Sequence, residues 1–160
     1  MKLIHYSDSP LKKVWTIVQY EPEHISEYDK PNGLWVSVIG EGDWLSWCQS
    51  ENFYTSSMKW ENEIVLKKEN KVLHLSNRKE LLEFQEENGL KSSWSNRYGI
   101  DWIKVSKKYQ GLIIAPYDYE SRWDISWYYT WDCASGCIWD SDAVGEVVSE
   151  ETKVIRSEKG

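Results

Sequence analysis

The residues with the strongest chemical potential in this chain lie in one run, Trp127-Tyr128-Tyr129-Thr130-Trp131-Asp132-Cys133-Ala134-Ser135-Gly136-Cys137-Ile138-Trp139-Asp140. Three chemistries can be read from it. Cys133 and Cys137 could join Cys48, His5, His24 or His74 around a metal ion. Structural zinc sites, however, show two close Cys/His pairs, and this chain has one. Cysteines inside an aromatic run are more simply small core hydrophobes, so no metal is expected. Ser135 or Cys137 could act as a nucleophile. Against that, Ala134-Ser135-Gly136 lacks the first glycine of a nucleophile elbow, and nothing local lowers the Cys137 pKa. Asp132 is the third case. Between Trp131 and Cys133, a carboxylate must be hydrogen-bonded or carry a raised pKa to be tolerated, which is the environment of many catalytic acids. Acids beside aromatic platforms also suit sugar stacking and glycosidic-bond chemistry, where a carboxylate steadies an oxocarbenium-like centre. Asp132 and Ser135 are the candidate catalytic residues, and Asp118, Glu120, Asp124 and Asp140 read as acids of solvated loops.

The elements that would position these groups can be read in chain order. Strands are expected over residues 2–6, Val14–Tyr20 and Leu34–Val38, with a loop over 21–29 containing His24. Lys30-Pro31-Asn32-Gly33 reads as a turn whose Asn-Gly step favours positive φ. Asp43 is a good N-cap for a helix over Trp44–Cys48. Residues 58–67 and 71–75 read as a hairpin around Lys68-Glu69-Asn70. Ser76-Asn77 should cap a helix carrying Leu81, Leu82 and Phe84 and ending near Asn88-Gly89. After a Ser-rich loop over 90–99, Asp101 opens a helix with Trp102, Val105 and Tyr109 spaced three and four apart. Leu112–Ala115 follows as a buried strand, and Pro116–Asp124 as a loop. The Trp127–Asp140 run reads as two buried strands meeting at the Ser-Gly step. The expectation is one α+β domain over 1–148, with a bent, split, mainly antiparallel β core and three short flanking helices, followed by a polar tail over 149–160.

Composition bounds the class further. At 160 residues the chain suits one domain, and its 41% hydrophobic and 28% charged content is that of an ordinary globular protein. The aromatic fraction is skewed: 11 Trp and 10 Tyr stand against 2 Phe. Trp and Tyr bury a large apolar body while keeping a polar tip that wants a partner. The net charge of -7 argues against nucleic acid as a partner. The lysine pairs at 12–13, 67–68 and 107–108 read as solvated surface. No apolar run approaches the roughly 20 residues that span a bilayer, and residues 1–6 do not read as a signal peptide. Three cysteines suit a reduced compartment, so a cytoplasmic protein is expected.

Several of these pieces combine into a pattern. His5 lies on the first strand, followed by Gly33-Leu34-Trp35-Val36-Ser37. Later come Tyr109-Gln110-Gly111-Leu112-Ile113-Ile114 and Ile138-Trp139-Asp140-Ser141-Asp142-Ala143-Val144. Over most of residues 2–144 the chain resembles a small ADP-ribosyltransferase-like domain of the kind found in bacterial toxins and phage accessory proteins. It also resembles phage-encoded proteins with similar Lys-Pro-x-Gly-Leu-Trp and Trp-Asp-x-Ala-Ser-Gly-Cys-Ile-Trp stretches. The resemblance implies a split β core that grips NAD as substrate, without a metal. His5 would bond ribose hydroxyls, Ser7 would help anchor NAD, and Trp35 would stack on nicotinamide with Ser37 beside it. The family places a glutamate on the late strand, where an anion steadies the oxocarbenium as nicotinamide leaves. Here the positions before Ile138 are Ser135, Gly136 and Cys137, and Asp132 is the nearest acid. The expected activity is transfer of ADP-ribose to a host macromolecule by a protein of phage or mobile-element origin acting inside a bacterial cell, the acidic balance favouring protein or small-molecule acceptors over nucleic acid. The alternative is a non-catalytic module binding a nucleotide, a sugar or a host protein on its Trp/Tyr wall.

Overall fold

The structure, a computed structural model, describes residues 1–40, 42–51 and 57–152. Glu41 and most of the expected polar tail therefore lie outside the described residues. Among the described residues, nine strands and three helices form an α+β fold. In chain order they are β1 (Leu3–Ser7), β2 (Leu34–Val38), α1 (Trp44–Ser50), β3 (Trp60–Leu66), β4 (Val72–Leu75), α2 (Arg78–Asn88), β5 (Gly89–Lys91), β6 (Tyr98–Ile100), α3 (Trp102–Lys108), β7 (Gly111–Ile114), β8 (Ser135–Ile138) and β9 (Val144–Glu151). Seven strands make one sheet in the order β4-β7-β8-β2-β1-β3-β9, and β5 pairs with β6 in a separate ribbon. All pairs are antiparallel except β4 with β7.

The three helices begin where local chemistry dictates. The side chains of Asp43, Asn77 and Asp101 accept hydrogen bonds from the backbone N–H groups of Ser46, Glu80 and Lys104, each satisfying a donor the helix itself leaves unpaired. β7 is buried along its whole length, as a strand covered on both faces should be. Leu112 and Ile114 face a large aromatic cluster with Leu81 and Phe84 of α2 and Trp102 and Val105 of α3. Ile113, on the opposite face, joins Leu3, Val36, Val38 and Ile64. Ile64 of β3 belongs to the same cluster as Ile113 of β7, although three strands separate them in the sheet, and one crevice is lined by residues of both. The sheet is thus bent around this second cluster.

Four expectations are corrected. Val14–Tyr20 is not a strand: the segment is irregular, and Trp15, Val18 and Tyr20 are exposed. It has β propensity but lies beside the end of β8, which already has β7 and β2 on its two sides. Its one backbone–backbone hydrogen bond among the described residues runs from Ile17 N–H to the Trp139 carbonyl (2.8 Å), just beyond the end of β8. The hairpin over 58–75 is also absent. β3 joins β1 and β9, while the link through Asn70 carries the chain to β4, at the opposite edge of the sheet. Within Trp127–Asp140 there is one strand, β8, preceded by a 3₁₀ turn over Ser126–Thr130. That turn buries Trp127, Tyr128 and Trp131 in one cluster, whereas strand alternation would send neighbours to opposite faces. Finally, Gly33 does not have positive φ, which among the described residues is seen at Gly40 and Gly42. Glycine is needed at 33 because a Cβ there would sit 2.6 Å from the Ile138 carbonyl oxygen and 2.7 Å from Cys137 Sγ. In addition, the loop expected over 90–99 contains parts of β5 and β6, and Leu82 is exposed rather than part of the buried stripe. β9 also runs past residue 148 to Glu151, with Thr152 buried.

One buried polar residue ties three strands and a loop together. Asn62, in β3, is fully buried, and its amide uses all four hydrogen-bonding positions. Nδ2 donates to the His5 carbonyl (2.7 Å) and to Ser7 Oγ (2.8 Å) in β1. Oδ1 accepts from Leu11 N–H (2.9 Å) and from Ser149 Oγ–H in β9 (2.7 Å). A buried amide with every position filled stabilises; removing it strands its partners. Asn62→Leu is expected to lower the unfolding free energy by about 2–4 kcal/mol, and Ser149→Ala by about 1 kcal/mol, in urea titrations followed by far-UV circular dichroism.

Candidate functional site

β1 and β2 pair over only two residue pairs, Leu3 with Val38 and Ile4 with Ser37. Beyond them the backbone ladder stops, and a side chain takes its place: His5 Nδ1–H donates to the Trp35 carbonyl at 2.7 Å. That bond places the proton on Nδ1 and leaves Nε2 as an acceptor in the neutral ring. At this juncture opens a cleft of about 380 Å³, whose lining includes His5, Lys30, Trp35, Ser37, Trp131, Asp132 and Ser135. Ile4, Tyr6, Val36, Trp44 and Cys133 complete the wall.

Five of the six candidate residues thus meet in one cleft, from three distant parts of the sequence. Trp35 and Ser37 sit on the same face of β2 by strand alternation, and Ser37 is the register partner of Ser135 in β8. Ser7 does not line the cleft. Its hydroxyl donates to the Ser9 carbonyl (2.6 Å) and accepts from Asn62, so its role in the structure is to anchor β1. Ser37 is buried, and its oxygen accepts the Trp44 N–H (3.0 Å) at the start of α1. Ser135 directs its proton to the Cys133 carbonyl (3.1 Å), not to a general base.

Asp132 is not embedded in a strand. It lies in the irregular link between the 3₁₀ turn and β8, its side chain is 30% exposed, and Oδ1 accepts from Arg122 Nη2 at 3.3 Å. It is the one carboxylate among the described residues that line the cleft. Arg122 is itself held tightly. Its Nη2 also donates to the Tyr129 carbonyl (3.3 Å), and its guanidinium lies 4.9 to 5.7 Å from the ring centroids of Tyr129, Trp123 and Tyr119.

The cation of the cleft is Lys30. Its ammonium lies 5.2 Å from the Trp35 ring centroid, a cation–π distance. The residue as a whole is exposed, yet desolvation near the aromatic wall lowers the Lys30 pKa, and Asp132 nearby acts in the opposite sense. Trp35 packs edge-on against Trp131, with centroids 5.0 Å apart. Trp131 is buried, and its indole N–H has no hydrogen-bond partner among the described residues. The cleft therefore presents one carboxylate, one ammonium, an imidazole acceptor and an aromatic wall.

Lys30, Arg122 and Asn62 do not announce themselves as functional in the sequence. Lys30 is hidden in a turn motif, and Asn62 in an amphipathic strand. The scarcity of arginine, four against fifteen lysines, was the available signal for Arg122. No family model, curated protein or solved structure matches this chain.

The cysteines are core residues, all three buried and unpaired by disulfides. Burial pushes the Cys133 thiol up to about 12 and the Cys48 thiol up to about 11, and raises Cys137 further. Thiols so raised stay protonated at neutral pH and are poor nucleophiles. Native protein at pH 8 should therefore resist iodoacetamide, with all three cysteines alkylated only after denaturation, as read by intact-mass spectrometry.

Proposed function

We propose that the cleft binds NAD and that the protein is an ADP-ribosyltransferase-like enzyme of phage or mobile-element origin, with a host macromolecule as acceptor. The observation that carries this reading is the convergence of His5, Trp35 and Asp132 where the β1–β2 ladder ends. NAD is zwitterionic, with a cationic nicotinamide and an anionic diphosphate. The cleft offers the complementary pair: Asp132 for the nicotinamide riboside and Lys30 for the diphosphate. His5 Nε2 accepts from a ribose hydroxyl, and the Trp35 indole provides the surface against which nicotinamide stacks. In the chemical step the bond between ribose C1′ and the nicotinamide nitrogen breaks, and its electron pair leaves with nicotinamide. Asp132 steadies the positive charge left on the ribosyl ring, and the acceptor's nucleophile then bonds to C1′.

A second reading keeps the ligand but drops the turnover. Asp132 is already engaged by Arg122, and the Ser135 proton is committed to the Cys133 carbonyl. Both observations favour a module that holds the nucleotide without cleaving it. Among the described residues no helix is long and apolar enough to cross a membrane.

Two measurements decide. Calorimetric titrations with NAD, ADP-ribose and nicotinamide should show saturable binding of the first two. Lys30→Gln should weaken ADP-ribose about tenfold while leaving nicotinamide unchanged, as loss of one charge-assisted contact predicts. Nicotinamide release, followed by chromatography, should fall by about 100-fold or more in Asp132→Asn, assayed below that variant's melting temperature, which loss of the Arg122 partner should lower, with folding checked by far-UV circular dichroism. Binding without release selects the second reading, release that survives Asp132→Asn removes Asp132 from the mechanism, and no binding of any nucleotide refutes both.

A further inference from the structure

A second concave surface includes Arg122, the partner of Asp132, in its lining. It is a groove of about 560 Å³ whose walls include Tyr28, Tyr98, Trp123 and Tyr129, with Gln85, Asn96 and Arg97 between them. The four rings are 42% to 63% exposed, an unusual display of aromatic surface outside a core. Trp123 stands edge-on between Tyr119 and Tyr129, at 5.9 Å from each, so its plane is fixed by its neighbours.

The electrostatics of the groove narrow what it can hold. Arg78, Arg97 and Arg122 gather around it, three of the four arginines in the chain. Two of the three charges are met by ion pairs: Arg78 grips Asp124 with two bonds of 2.7 and 2.6 Å, and Arg122 is paired with Asp132, while Arg97 makes no ion pair among the described residues and is opposed only at longer range by Glu27. A surface so largely neutralised offers little to a polyanion, whose binding rests on uncompensated cations. It suits an apolar peptide face no better, because Gln85, Asn96, Arg97, Asp124 and Ser126 would be desolvated against it. The amides of Gln85 and Asn96 have no side-chain hydrogen bond among the described residues, so each offers both a donor and an acceptor.

Flat aromatic faces, unspent amides and largely balanced charge together fit a ligand with apolar C–H faces and a rim of hydroxyl groups. We propose that this groove is a binding site for a neutral oligosaccharide, with Trp123 and Tyr129 as stacking platforms and Gln85 and Asn96 as hydroxyl-reading groups. The site is separate from the NAD cleft, and the proposal stands or falls independently of NAD chemistry.

The test uses the full chain on an array of neutral glycans, followed by titration calorimetry with cellohexaose, maltohexaose and chitohexaose. Retention of at least one neutral glycan is expected, with affinity that changes less than twofold between 50 and 500 mM NaCl, since no ion pair is made. Trp123→Ala and Asn96→Ala, both changes at exposed side chains, should each weaken it by about tenfold or more, a loss of about 1.4 kcal/mol. The proposal is overturned if no neutral glycan is retained, or if glycan binding survives both substitutions. Preferential, salt-sensitive binding of oligo-dT, or preferential binding of a proline-rich peptide, overturns it as well.

Discussion

The hydrogen bond from the His5 ring to the Trp35 carbonyl is the joint on which the molecule turns. A sheet strand normally spends its backbone acceptors on its neighbour's N–H groups. Here β1 and β2 do so for two residue pairs, after which an imidazole spans the gap. The substitution leaves room for a cleft between two strands that still belong to one sheet. It also gives β1 two obligations, to β2 through the His5 ring and to β3 through its own backbone and Asn62. Because Asn62 Nδ2 holds the His5 carbonyl while the His5 ring holds Trp35, the cleft's walls are positioned by a short chain of buried polar contacts. Such contacts fix geometry well when every member is satisfied, as they are at Asn62.

Three buried Trp and Tyr residues use polar tips that Phe would lack, whereas the indole N–H groups of Trp127 and Trp131 have no partner among the described residues. Trp102 is buried against Phe84 and Trp127, yet its indole N–H donates to the Asp29 carbonyl (3.1 Å), pinning the loop that leads to Lys30. Trp139 likewise donates to the Tyr109 carbonyl (2.7 Å) at the end of α3. The Tyr128 hydroxyl accepts the Asp118 N–H (3.1 Å), holding the loop before the 3₁₀ turns. In each case the ring supplies core volume and the tip satisfies a backbone group that a loop would otherwise leave to solvent. Phe could fill the same volume but could not hold the loops that carry Lys30 and Arg122.

What was legible in the sequence divides along the same physical line. Helix starts at Asp43, Asn77 and Asp101 are local events, decided by one side chain and an N–H three residues on, and they were readable. So were Leu34–Val38 and the apolar run of β7, whose patterns are internal to the strand. Choice of partner is not local. Val14–Tyr20 has the composition of a strand but lies beside the end of β8, an interior strand already paired on both sides, and the two arms of the expected hairpin end on different parts of the sheet. The site shows the same split. The types of His5, Trp35, Ser37, Asp132 and Ser135 suggested chemistry, and the fold brings all five to one cleft. Asp132 is hydrogen-bonded, as its apolar neighbours required, but outside the strand in which it was expected. It is tolerated because Arg122 reaches it from an adjacent loop, a partnership between residues ten positions apart that no periodicity encodes.

Arg122 is where the two concave surfaces meet. One nitrogen reaches Asp132, which lines the cleft, while the guanidinium also stacks under rings that border the groove. Its side chain is only 15% exposed, so the charge is desolvated and needs the carboxylate, the Tyr129 carbonyl and the aromatic faces together. A guanidinium held on three sides cannot turn toward one surface without changing its relation to the other. The same guanidinium thus belongs to both surfaces, to the cleft through Asp132 and to the groove through Trp123 and Tyr129, and one residue sets the position of a carboxylate and of two exposed rings.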